Sequence, residues 1–200
     1  MPVLLYDNPV SGNCYKVRLI LTLLGIEFER RELSVVDHSD RGATLGGLSP
    51  SLNVPTVVLE DGRPLAESNA ILWYFGDGTN YLPDDPYARA QVLQWMFFEQ
   101  YKHEPGIAVV RFWVSISENP PSEAEVETRR VAGHAALAVM ERYLTDHEYF
   151  VGECFTIADV ALYAYTHVAP EGGFDLELYP AIRAWLERVA SQPGIVPMTA

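Results

Sequence analysis

The sequence predicts a small α/β domain followed by an all-helical one, and three observations carry that prediction. Strand-like and helix-like segments alternate as far as Gly76. A stretch rich in Asp, Pro and Gly then breaks the pattern at residues 78–86. Beyond it only helical periodicity remains. The chain therefore divides into residues 1–77, a linker at 78–86, and a helical domain at 87–200.

Val3-Leu4-Leu5-Tyr6 reads as a short buried strand stopped by Asp7-Asn8-Pro9. From Asn13 to Leu24, Val17, Leu19, Ile20, Leu21 and Leu23 suit a helix buried around much of its girth, with Gly25 as its stop. Phe28 to Leu33 alternates apolar with charged residues, as a strand at or near a sheet edge does. The polar stretch from Ser34 to Ser51 has room for one irregular helix. Thr56 to Leu59 is strand-like, Asp61-Gly62 makes a hairpin turn into Pro64-Leu65-Ala66, and Glu67 to Phe75 is helical. The order β-α-β-α-β-β-α is the thioredoxin-like arrangement.

Past the linker, Val92 to Tyr101 holds Trp95-Met96-Phe97-Phe98, apolar on more than one side, which suits a helix with two sets of neighbours. Val126, Gly133, Leu137, Met140 and Leu144 define one narrow seam, and Arg130 on that seam needs a partner. Thr156-Ile157-Ala158-Asp159 is a capping box, with Phe155 and Val160 placed as its hydrophobic staple. A last amphipathic helix runs from Tyr179-Pro180 through Ile182, Trp185, Leu186 and Val189.

Composition narrows the function classes. With 14 Lys and Arg against 27 Asp and Glu, the net charge of −13 argues against a nucleic-acid partner. The two cysteines, Cys14 and Cys154, are far apart and have no CxxC mate, so no disulfide framework, zinc site or dithiol motif is expected. The first residues lack a basic region followed by an apolar one, and no apolar run reaches membrane-spanning length. The expectation is a cytoplasmic protein with no metal, no cofactor and no membrane partner.

Three stretches carry chemistry. A proline ahead of a strand, as in Asn53-Val54-Pro55, suits a cis peptide that turns the Val54 main chain toward an added peptide strand. Glu67-Ser68 at a helix start offers free N–H groups and a hydroxyl to a carboxylate, and Glu67 to an amine beside it. Ser11-Gly12-Asn13 opens the first helix, where a thiol would meet a hydroxyl donor and a helix N-terminus, both favouring the thiolate. Each also has a plain structural use: a trans proline beginning a strand, or helix caps.

Val10-Ser11-Gly12-Asn13-Cys14-Tyr15-Lys16-Val17-Arg18, Leu48-Ser49-Pro50-Ser51-Leu52-Asn53-Val54-Pro55, Glu67-Ser68-Asn69-Ala70-Ile71 and the Thr156–Asp159 box together resemble a bacterial cytosolic glutathione S-transferase. The likeness spans essentially the whole chain and is to serine-type members, similar to zeta-, nu- and beta-like bacterial ones. It implies Ser11 as the hydroxyl that stabilises the thiolate, with Asn13 as a second polar contact. It further implies Val54 and a cis Pro55 on the cysteinyl part of glutathione, Glu67 and Ser68 on the γ-glutamyl end, and Asp159 as a folding determinant. His38 or Arg41 is the candidate for the glycyl carboxylate. A second substrate is expected between the domains, beside Tyr101, His103, Arg111, Phe112 and Trp113.

The resemblance has departures. Tyr6 lies inside the first strand, so no tyrosine-type residue is placed, and Cys14 stands three positions past Ser11, where a packed thiol is expected. The implied activity is a detoxifying transferase that turns the glutathione thiolate on a small hydrophobic electrophile, and the implied assembly is a homodimer. A glutathione-dependent disulfide or peroxide reductase is the alternative, and a non-catalytic scaffold of the same fold the third reading.

Overall fold

The computed structural model describes residues 2–199. They form two compact units, one of residues 2–79 joined by 193–199, the other Asn80–Gln192. The stretch expected as a linker is thus divided. From Asn80 onward it folds with the helices, where Tyr81 O accepts the Ile157 N–H at 2.9 Å. Residues 193–199, expected with the helical domain, return to the first unit.

The first unit is a four-stranded sheet in the order β2-β1-β3-β4, made of Phe28–Glu32, Val3–Asp7, Thr56–Val58 and Pro64–Ala66. β1 pairs with β2 in parallel and with β3 antiparallel, while β3 and β4 form the hairpin. Period-two alternation gives β1 two buried faces. Leu5 stands opposite Val57 and both are fully buried, while Leu4 and Tyr6 join Leu33, Leu45, Leu48 and Val58 in a second cluster. The edge strand β2 is mostly charged and exposed, which blunts edge-to-edge pairing.

Helix α1 spans Gly12–Leu23 and is buried along most of its length. It stops where Gly25, at φ +65, adopts the left-handed turn that a side chain would resist. The irregular helix expected between Ser34 and Ser51 is α2, only Arg41–Leu45. Helix α3, Ser68–Gly76, packs on α1, and the bond from Ser68 Oγ to Asn13 Oδ1 sets the two helix starts side by side.

In the second unit the helix expected at Val92–Tyr101 is longer, running from Pro86 through α4 to Phe98 and on to Ser115 as α5. Between them Glu99–His103 forms a π turn. Pro105 explains it: proline has no N–H for the regular bond, and its ring crowds the carbonyl one turn back. Helix α6, Glu123–Leu144, buries Val126, Gly133, Leu137, Met140 and Leu144 of the seam read from the sequence. Its Gly133 meets Gly106 of α5 so closely that a Cβ on Gly106 would lie 2.6 Å from the Gly133 Cα. Arg130 finds its partner in Glu127 at 2.6 Å. Helices α7, Ile157–Thr166, and α8, Pro180–Ala190, complete the unit, with every residue of α7 buried. Among the described residues no helix is long and apolar enough to cross a membrane.

Candidate functional site

Ser11 is the N-cap of α1, and its Oγ accepts the Cys14 N–H at 3.3 Å. That is the capping use, and it leaves the hydroxyl proton available to donate to a ligand. The approach loop is held firmly. Asn8 Nδ2 donates to Leu33 O at 2.8 Å, Asn8 Oδ1 accepts Val10 N–H at 3.1 Å, and Asn8 O accepts Ser11 N–H at 3.2 Å. Directly behind Ser11, Cys14 has no exposed surface, and burial, followed by the nearby Asp7 carboxylate, pushes its thiol up to about 12. It stays a packed thiol at neutral pH, as the sequence led us to expect.

The start of α3 is built differently. Glu67 sits at φ +69, a backbone conformation costing a residue with a side chain about 1–3 kcal/mol, and its carboxylate does not cap the helix. Instead Glu67 Oε1 accepts the Ser51 hydroxyl at 3.3 Å, beside a cleft of about 650 Å3 lined by residues 46–51 and 64–67. The main-chain N–H groups of Ser68 and Ala70 have no hydrogen-bond partner among the described residues. Ser68 Oγ donates to Asn13 Oδ1 at 3.1 Å, which ties the start of α3 to the start of α1.

The Val54–Pro55 peptide is cis. Neither main-chain polar group of Val54 has a partner among the described residues, although Asn53 on one side and Thr56 on the other are both bonded. One half-buried residue therefore offers a donor and an acceptor next to β3.

The two candidates for the glycyl carboxylate separate. His38 is exposed, its Nε2 3.2 Å from Val35 O. Arg41 is buried, and its guanidinium bonds Leu52 O at 3.0 Å and the carbonyl of Ser34. It clamps the two ends of the 34–52 loop, so its reading as a ligand contact is corrected to a structural one.

In the helical unit the five pocket candidates do not gather. His103 is fully buried, and its Nε2 donates to Thr166 Oγ1 at 2.8 Å, because that hydroxyl already gives its proton to Leu162 O. Arg111 is buried and paired with Glu171 at 2.7 Å. Both are corrected to interior roles: the sequence showed polar side chains near aromatic ones, but not that the helix turns them inward. Trp113 is half-buried under Arg129, 5.6 Å from its ring, and Phe112 is half-buried too. Only Tyr101, mostly exposed, lines the unit's apolar cleft of about 790 Å3, with Phe98, Pro105, Ala132, Ala135 and Val139.

Sequence reasoning missed Asn8 and Ser51, which orient the Ser11 loop and Glu67. Their signal was faint, since Asn before Pro and Ser before Leu read as ordinary loop residues.

Two family models match this chain: the glutathione S-transferase N-terminal domain over residues 10–77 and the C-terminal domain over residues 95–193. The crystal structure of a glutathione S-transferase from Pseudomonas fluorescens Pf-5 is similar at 48% identity, covering 100% of both chains with a TM-score of 0.92. A glutathione S-transferase from Xanthobacter autotrophicus Py2 is similar at 45% identity, covering 98% of this chain and 96% of that one with a TM-score of 0.91. Among characterised relatives, the disulfide-bond oxidoreductase YfcG of Escherichia coli is 28% identical over 95% of this chain and 91% of its own length. The chain belongs to the glutathione S-transferase family, with the thioredoxin-like N-terminal and helical C-terminal architecture of that family.

Proposed function

We propose that this protein binds glutathione along the starts of α1 and α3 and turns its thiolate on a small hydrophobic electrophile. The observation that carries the reading is the Ser68–Asn13 hydrogen bond, which sets the open start of α3 beside the loop of Ser11. The γ-glutamyl carboxylate meets the N–H groups of Ser68 and Ala70 and the positive end of the α3 dipole. The Glu67 carboxylate takes the adjoining ammonium group. The cysteinyl amide pairs with Val54 as an added strand. His38, being exposed, is the remaining candidate for the glycyl end.

The sulfur then lies against the Ser11 hydroxyl. That O–H donates to the thiolate, and Asn13 stands beside it as the second polar contact. One charge-assisted bond of this kind is worth about 1.5–3 kcal/mol, roughly one to two pKa units below the free thiol. The thiol proton leaves to solvent, and the sulfur attacks the electrophile with departure of its leaving group. No metal or cofactor enters this scheme. Of the second-substrate candidates, Tyr101 remains, on the helical unit's apolar cleft.

Assembly as a homodimer is supported by Leu93 and Phe97, four residues apart on α4 and both exposed. The second reading, a glutathione-dependent disulfide reductase, is favoured by the YfcG relative, whose name states that chemistry. Both need the same thiolate, so one experiment ranks them. Glutathione binding is measured first, and an electrophile panel is then run beside a disulfide-exchange assay on the wild type and Ser11→Ala. Conjugation that exceeds exchange and falls in the variant is the expected result. Exchange without conjugation assigns the reductase role, and absence of glutathione binding at millimolar ligand removes both.

A further inference from the structure

The returning segment, residues 193–199, grips helix α1 at three places. Gly194, at φ +91, lies against Leu23, where an added Cβ would meet the Leu23 Cδ2 at 3.3 Å. Tyr15 Oη donates to Val196 O at 2.5 Å. Arg18 Nη2 donates to Met198 O at 2.5 Å, and the Met198 side chain is itself buried.

Arg18 matters because of what else it holds. Its buried guanidinium also donates to Asp7 Oδ1 at 2.5 Å, to Asn8 O at 3.1 Å and to Pro9 O at 3.3 Å. Asp7 in turn takes Arg30 Nε at 2.6 Å. Asn8 O is the same atom that accepts the Ser11 N–H. A continuous path of hydrogen bonds therefore runs from Met198 O through Arg18 and Asn8 O to Ser11. A guanidinium has a rigid planar fork, so fixing one nitrogen fixes the direction of the others. In a buried site, an acceptor withdrawn from that fork is not cheaply replaced.

We propose that residues 193–199 act as a strap that holds Arg18, and that Arg18 is a positioning residue setting the loop that aims the Ser11 hydroxyl at bound substrate. The proposal rests on the reading of Ser11 as the group beside the thiol. Without the strap Arg18 keeps Asp7, but Nη2, which serves both Met198 O and Pro9 O, loses its shorter bond. The loop then keeps its Asn8 side-chain bonds while its anchors at Asn8 O and Pro9 O loosen, so Ser11 gains mobility and the start of α3 does not.

The test uses three variants of the 200-residue chain: Met198→Asp, which puts a carboxylate at a buried side chain and ejects the strap; Met198→Leu, which keeps it; and Tyr15→Phe, which removes one anchor. Amide hydrogen exchange at Ser11 and Cys14 is the first readout, and the ultraviolet titration of bound glutathione thiolate the second. Met198→Asp speeds exchange at those two amides about tenfold, leaves exchange at Val57 unchanged, and raises the bound thiol's pKa by about one unit while glutathione affinity stays within about threefold. Met198→Leu restores wild-type values, and Tyr15→Phe moves both readouts the same way by less. Exchange that speeds up at residues 193–199 while Ser11 and Cys14 keep wild-type rates overturns the proposal. Should Met198→Asp fail to fold, unchanged rates at Ser11 and Cys14 in Tyr15→Phe overturn it instead. If the wild type binds no glutathione, the functional reading falls, and the exchange rates still decide the strap.

Discussion

Two helix starts in this protein face the same physical problem and solve it in opposite ways. At α7 the orphan donors are closed off: Thr156 Oγ1 accepts Ala158 N–H at 3.3 Å, and Asp159 accepts Thr156 N–H at 2.9 Å. Asp159 also takes Phe150 N–H at 3.2 Å and Trp185 Nε1–H at 3.0 Å, so one buried carboxylate ties four groups together. At α3 the residue in the cap position holds a left-handed backbone, its carboxylate turns to Ser51, and the Ser68 and Ala70 N–H groups stay open. A saturated helix end contributes stability. An unsaturated one, maintained against the strain at Glu67, leaves donors and a positive dipole end that an anion can meet.

The largest expected effect breaks the closed end. Asp159→Ala leaves three N–H donors buried without an acceptor and lowers unfolding free energy by about 3–5 kcal/mol in denaturant titration. A loss below about 1 kcal/mol would mean that the box is not holding the helical unit together.

Ser11→Ala comes next. It raises the pKa of bound glutathione by about one to two units while leaving affinity nearly unchanged, read by thiolate absorbance and calorimetry. It also removes a cap, lowering stability by about 1 kcal/mol. An unmoved titration takes Ser11 out of the mechanism and leaves Asn13 as the donor to test.

Ser68→Ala sharpens the open end. It weakens glutathione about tenfold by calorimetry, with a stability change under about 1 kcal/mol, the reverse of the Asp159→Ala pattern. Equal losses in both measurements would make Ser68 structural.

The smallest effect is in pH. Burial pushes the Asp159 carboxyl from 3.8 up to about 6 despite its donors. The folded chain therefore holds that proton more tightly than the unfolded chain does. This contribution to stability is full below pH 3.8 and is lost as pH rises through about 6. Asp159→Asn flattens stability against pH in that window; a slope matching the wild type assigns it to other groups.

Legibility followed the same divide. The elements with periodic burial, β1, α1 and the α6 seam, could be read because core positions recur at fixed spacing. The α7 box was legible because its partners lie within four residues of one another. Glu67, Ser68 and Ser11 were legible as residues, but the Ser68–Asn13 bond spans 55 positions and follows only from how α1 and α3 pack. Arg41 and His103 show the limit: a charged or polar side chain in a loop or helix looks available until the fold buries it. The return of residues 193–199 to the first unit had no local signature, since its bonds to Tyr15 and Arg18 use carbonyl groups that any residue supplies.

The most direct measurement follows backbone amides by nitrogen–proton correlation spectra while glutathione is titrated into the labelled protein. The account predicts that Val54, Ser68 and Gly12 shift together with one dissociation constant while Ala158 and Asp159 stay still. Shifts absent from Val54 and Ser68 at saturating glutathione, or appearing equally at the closed start of α7, would contradict it.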